Sequence, residues 1–189
     1  MYTAKNFTHL LGLTGFSDTM LTNHFTLYNG YVNNINTMLT KFETLDQASM
    51  EMSELSRRFA WEYDGMKMHE LYFGNMTKEK TEINKEGELY KKLVSTYGSY
   101  EKWIEVLKAK GMMRGIGWVM LSVDTDNGEL YTHWIREHEI GHMVGSKSLL
   151  IMDTWEHAYM TDYGLKKADY INAFISAIDW NVVESRYNA

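Results

Sequence analysis

Helical periodicity dominates the first part of the chain. From Asp18 to about Lys41, Leu21, Phe25, Leu27, Tyr28, Tyr31, Val32, Ile35, Met38 and Leu39 recur at three- and four-residue steps, with Ser17 or Asp18 available as the cap. A second amphipathic stretch runs from about Leu45 to Met76 through Met50, Leu55, Phe59, Trp61, Met66, Met68 and Leu71, with Gly65 as an interior irregularity. Two apolar stripes in succession predict a helical hairpin, because each stripe can bury the other.

The pattern changes after the polar stretch Thr77 to Gly87, which reads as a linker and divides the chain into an N-terminal hairpin domain, 1–80, and a C-terminal domain, 81–189. Glu88 to Tyr97 and Ser99 to Lys110 read as short helices separated by a capping Gly98. Gly117 to Val123 is strand-like, Asp126-Asn127-Gly128 is a hairpin turn, and Glu129 to Trp134 reads as the returning strand. Leu149 to Met152 supplies a third strand, and Lys166 to Tyr187 is read as a closing helix with Tyr170, Ile171, Phe174, Ile175 and Ile178 on one face. The fold class is therefore α+β: an N-terminal α-helical hairpin followed by a mixed domain with a three-stranded antiparallel sheet and flanking helices.

Composition narrows the functional classes. The 189 residues are 44% hydrophobic and 23% charged, which is globular rather than disordered. A formal charge of -6 is the wrong sign for a nucleic-acid partner or an anionic membrane surface. There is no apolar run of membrane-spanning length and no signal-peptide pattern at the start, so a cytoplasmic location is expected. The chain has no cysteine, which excludes disulfides and thiolate chemistry and leaves His, Asp and Glu as metal ligands.

Two patterns among the seven histidines compete for the metal. His138-Glu139-Ile140-Gly141-His142 fits H-E-x-x-H, in which two helical His bind zinc and the Glu acts as general base of a protease. Its third ligand is missing, since Ser148 stands where a further His would complete the longer motif, and the two glycines weaken any helix there. The second pattern is Asp153-Thr154-Trp155-Glu156-His157-Ala158-Tyr159, in which Asp153 and His157 can converge on one cation after the apolar strand that anchors them. A mixed His and carboxylate set suits iron or manganese. His9 and His133 read as structural or surface residues.

This D-x-W-E-H-A-Y run closely resembles the metal-binding signature of the iron/manganese superoxide dismutases. Gly115-Ile116-Gly117-Trp118, Tyr31-Val32-Asn33-Asn34 and the segment Tyr163 to Trp180 are similar to further family elements, in family order. The resemblance implies a superoxide dismutase that converts superoxide to oxygen and hydrogen peroxide at one iron or manganese ion per chain. It implies His24, His69, Asp153 and His157 as the metal ligands, with room for one solvent ligand. Tyr31 is the implied catalytic tyrosine beside the metal ligands, and a homodimer through the region of Glu156 and Tyr159 is implied as well. Because the overall charge repels an anion, Lys167 is the candidate for local positive potential at the mouth.

Three departures from the family pattern matter. His24 and Tyr31 are seven residues apart rather than eight, which turns everything after the gap by about 100° unless a wide π-type turn is lost at the same place. The spacing keeps open a non-catalytic metal-binding module as an alternative, beside the zinc protease. The histidine that normally lies between ligand and tyrosine is absent, with Leu27 and Tyr28 there instead. Finally, the glutamine that holds the metal-bound solvent is missing from both of its usual places, here Gly65 and the segment Glu137-His138-Glu139. His138 is expected to replace it, with His142 as second choice. Ile151, where manganese members commonly carry glycine, favours iron slightly over manganese.

Overall fold

A computed structural model describes residues Met1–Ala189. Helix α1 spans Asp18–Thr44, and Ser17 caps it by accepting a hydrogen bond from the Met20 amide. Helix α2 spans Met50–Phe73, five residues shorter at its start than the apolar pattern suggested. Asp46 accepts the Ala48 amide and Ser49 accepts the Met52 amide, so side-chain hydrogen bonds hold residues 46–49 as a turn and cap. The two helices pack antiparallel: Phe42 lies against Phe59 near the connecting turn, and His24 lies against Phe73 at the far end.

Residues 74–87 contain no helix. They nevertheless tie the two halves of the chain together through the Met76–Ile178 bridge and the bond from Thr81 Oγ1 to the Ile178 carbonyl. Helices α3 (Glu88–Tyr97) and α4 (Tyr100–Gly111) follow, separated by Gly98 at φ 90°, a left-handed cap that favours glycine. The sheet consists of β1 (Gly117–Asp124), β2 (Leu130–Arg136) and β3 (Ser146–Asp153), all antiparallel in the order β2-β1-β3. Strand β1 is central and almost wholly buried, so it reads as a continuous apolar run rather than an alternating one.

After a single turn α5 (Met160–Tyr163), the predicted closing helix is two helices, α6 (Lys167–Ser176) and α7 (Trp180–Asn188). The break has a local cause. Asp179 caps α7 through the Asn181 amide, while its own amide is taken by the Asn75 carbonyl. Asn75 is a clamp: wholly buried, it donates to the Tyr72 carbonyl and accepts the Ile151 amide, locking the end of α2 to β3. One buried apolar cluster runs from Phe7 to Val183 and includes residues of both halves.

Candidate metal centre

Four elements deliver the site. His24 comes from the second turn of α1 and His69 from the last turns of α2. Asp153 ends β3, and His157 lies in the single 3-10 turn that follows it. Their ligand atoms all lie within 4.8 Å of one another. Asp153 Oδ2 is 3.2 Å from His24 Nε2, 3.1 Å from His157 Nε2 and 3.8 Å from His69 Nε2.

Two of the four side chains are oriented from behind. His69 Nδ1 lies 2.6 Å from the Gly65 carbonyl, so it carries the proton and leaves the Nε2 lone pair facing inward. Asp153 Oδ1 accepts the Trp155 amide, and the Asp153 carbonyl accepts the Tyr170 hydroxyl, which fixes the carboxylate and its strand end. The rings of Tyr72, Phe73, Trp118 and Trp155 pack around the imidazoles, within 4.9–5.7 Å of one of them.

The electrostatics favour a cation. Burial draws the His24 imidazole below its ordinary pKa, against the pull of Asp153. His69 is drawn well below, by burial first and then by His24. Burial alone would raise Asp153, but His157 and His24 outweigh it and hold the carboxyl far below its usual range. The site therefore presents a buried carboxylate beside the His24 and His69 imidazoles, whose charged forms burial disfavours. His24 Nε2 and His69 Nε2 are buried with no hydrogen-bond partner. Orphaned acceptors of this kind are costly unless an ion binds there, so the donor set fits a divalent or trivalent transition metal.

A second ring of side chains surrounds the four. Tyr31 stacks on His69 with ring centroids 5.2 Å apart, and its hydroxyl lies 2.7 Å from His138 Nε2. The seven-residue spacing does not displace it. Helix α1 is α-helical throughout, and seven residues fall just short of two turns, so His24 and Tyr31 share a face. A metal-binding module lacking its tyrosine is thus not favoured.

His138 is wholly buried, and its delivery depends on the backbone. Beyond β2, Glu137 adopts φ 56°, the only residue other than glycine with a left-handed backbone, and Arg136 pairs with Ile140 across the turn. Trp118 Nε1 donates to His138 Nδ1 at 3.1 Å. Burial holds the imidazole down to about 4, so it is neutral near pH 7. Since Nδ1 accepts, Nε2 carries the hydrogen and donates to the Tyr31 oxygen. The phenolic proton of Tyr31 is then free to point elsewhere. Burial, followed by the charges of Asp153 and Glu62, raises this phenol above its ordinary pKa and keeps it protonated.

The zinc-protease alternative is not favoured. Residues 137–143 form turns and an isolated bridge rather than a helix. Both His138 nitrogens are engaged, and His142 Nε2 lies 2.7 Å from the His138 carbonyl and 3.4 Å from Asp64, outside the four-ligand group. Lys167 is half-buried, its ammonium 5.8 Å from the Trp134 ring and 5.7 Å from the Tyr159 ring. Burial draws it below its ordinary pKa, while Asp153 and Glu156 pull it back up.

Sequence reasoning took Trp118 only as part of a family-like strand element and did not find its donor role. It also passed over Arg58 and Glu62, whose one-turn spacing on α2 was the available signal. Gly65 was read as a lost glutamine position. A Cβ there would sit 2.7 Å from two Tyr31 ring carbons, so glycine is what lets Tyr31 lie in place.

Residues 85–186 match the family model for iron/manganese superoxide dismutases, C-terminal domain. The chain is 33% identical over 184 residues to an iron superoxide dismutase of Aquifex pyrophilus, covering 93% of this chain and 85% of that protein. It is 32% identical over 178 residues to a manganese superoxide dismutase of Haloferax volcanii, covering 90% and 86%. It is 30% identical over 183 residues to an iron superoxide dismutase of Cupriavidus metallidurans, covering 94% and 91%. The chain belongs to the iron/manganese superoxide dismutase family.

Proposed function

We propose that the protein is a superoxide dismutase holding one iron or manganese ion through His24, His69, Asp153 and His157. The observation that carries the reading is the pair of buried, unpartnered Nε2 atoms converging on the Asp153 carboxylate. When bound, the ion supplies one-electron redox chemistry, so that two superoxide ions and two protons become one oxygen and one hydrogen peroxide.

The chain's own residues supply what the redox step lacks. The three imidazoles and the carboxylate hold the ion in one geometry, and Tyr72, Phe73, Trp118 and Trp155 keep bulk water from it. The product needs protons, and Tyr31 holds one. With His138 Nε2–H donating to its oxygen, the phenolic hydrogen is left free to be given up, and the phenolate left behind would keep that hydrogen bond. His138 thus takes the missing glutamine's place as a positioning residue for Tyr31, with both its nitrogens engaged by Tyr31 and Trp118 rather than by solvent.

Relatives named for each metal leave the choice balanced, and Ile151 supports a slight preference for iron. We further propose a cytoplasmic homodimer joined near Tyr159 and Glu156, whose side chain is exposed and unpaired within the chain. The absence of cysteine means that folding needs no oxidising compartment, and no helix is long and apolar enough to cross a membrane. Sedimentation as a monomer would refute the dimer.

Metal analysis and superoxide consumption, on protein expressed separately with iron and with manganese, test the main reading. Near one ion per chain with activity, both lost in Asp153→Ala, is expected. Zinc alone, or a loaded protein that leaves superoxide untouched, would overturn it.

A further inference from the structure

A charged cluster on α2 adjoins the Tyr31–His138 pair. The Arg58 guanidinium lies 4.4 Å over the Trp61 ring, and Trp61 in turn lies 4.9 Å from His138 and 5.9 Å from Trp155. Arg58 Nε donates to Glu62 Oε1 at 3.0 Å, while Glu62 Oε2 accepts from Asn34 Nδ2 of α1 at 3.1 Å. Glu62 is only 6% exposed, whereas the arginine side chain is 48% exposed.

An ordinary surface pair one turn apart on a helix contributes a few tenths of a kcal/mol and leaves both charges in water. Here the carboxylate is buried and held from both sides, and only the guanidinium faces solvent. Both charges reach the proton-donating pair: Glu62 pushes the Tyr31 phenol up and Arg58 draws it down, Glu62 having the larger effect. Arg58 also acts on His138. The surface over Trp61 therefore carries a cation whose attraction for anions is opposed by a fixed buried counter-charge.

We propose that Arg58, gripped by Glu62 and laid over Trp61, sets how strongly this site draws its anionic substrate, and that Glu62 holds the attraction in check. The inference rests on the dismutase reading above. Without Arg58, the buried carboxylate is left uncompensated beside Tyr31 and repels superoxide. Without Glu62, the guanidinium is unmasked and draws it in. Because the effect is a field at the protein surface, salt screens it.

The test uses the full chain loaded with its metal, as wild type, Arg58→Gln, Arg58→Lys, Glu62→Gln and the Arg58→Gln/Glu62→Gln double variant. Two quantities are read against ionic strength: the second-order rate of superoxide loss, and the dissociation constant of azide followed by the visible absorption of the metal centre. At about 10 mM salt, where the screening length is about 30 Å, Arg58→Gln should slow the reaction about threefold or more and weaken azide. Glu62→Gln should move both quantities the other way, Arg58→Lys should stay near wild type, and the double variant should recover most of the wild-type rate. The differences should fade near 1 M salt, where screening acts within about 3 Å. Rates and azide constants that do not separate at low salt would overturn the proposal, as would an Arg58→Gln deficit that persists at high salt. Should Arg58→Gln fail to fold, Glu62→Gln and the double variant still decide it, since neither leaves a buried charge unpaired. A loaded wild type that consumes no superoxide refutes the dismutase reading instead, and the azide constants then judge Arg58 alone.

Discussion

Gly65→Ala should separate stability from activity. Position 65 lies inside α2, where replacing glycine by alanine favours the helix by about 1 kcal/mol. The added Cβ would stand 2.7 Å from Tyr31 Cδ1 and Cε1, where ordinary contact begins near 3.4 Å, so the ring must retreat by about 0.7 Å. It has little room to do so, being stacked on His69 on one side and bonded to His138 at 2.7 Å. Overpacking of this kind costs about 1–3 kcal/mol, which against the helical gain leaves a net loss of about 0–2 kcal/mol. At this chain length that lowers Tm by no more than about 8 °C. The rate should suffer far more, because misplacing a reacting group by about 1 Å can cost about a hundredfold. The ligands keep their side chains, so metal content should stay near wild type. The assay is Tm by calorimetry, metal by mass spectrometry and superoxide loss by stopped flow, on one preparation. A Gly65→Ala protein with full metal and the wild-type rate would refute the claim that the position of Tyr31 limits catalysis.

Three further outcomes follow from the same geometry. His138→Gln keeps a donor for Tyr31 and an acceptor for Trp118, so its rate should remain within about tenfold of wild type. His138→Leu strands the buried Trp118 N–H at a cost of about 1–3 kcal/mol and should lower both Tm and rate; equal behaviour of the two variants would refute the tautomer assignment. The third outcome concerns acid. With His138 held to about 4 against an ordinary 6.5, the unfolded chain binds its proton first as pH falls. Metal-free protein should therefore lose stability between pH 6.5 and 4, by on the order of 3 kcal/mol from this group, and the loss should be smaller in His138→Gln when followed by urea titration.

Much of the architecture was legible because the relevant signals are local. The hairpin is written in the apolar steps of α1 and α2, and Asp126-Asn127-Gly128 marks the turn between β1 and β2. Asp153 and His157 are four residues apart, so their convergence could be read from spacing alone. The break between α6 and α7 was not legible from periodicity, because Ile178 and Trp180 continue the apolar run across it and are themselves buried. The signal lay in Asp179, a good capping residue whose partner amide is two residues on, but its decisive contact is with Asn75, remote in sequence.

The same distinction explains the outer half of the site. His138 could be nominated from sequence, but its role depends on which nitrogen holds the hydrogen, and Trp118 on the neighbouring strand decides that. The H-E-x-x-H pattern presupposes a helix. Glu137 at φ 56° and the Arg136–Ile140 bridge instead fold the segment back on β2, so His138 points inward while His142 turns to the His138 carbonyl and Asp64. A motif's meaning is therefore set by the backbone beneath it. Here the left-handed Glu137 and the Arg136–Ile140 bridge turn a zinc-binding pattern into a hydrogen-bond donor for Tyr31, and the glycine at 65 opens the space in which that tyrosine can lie.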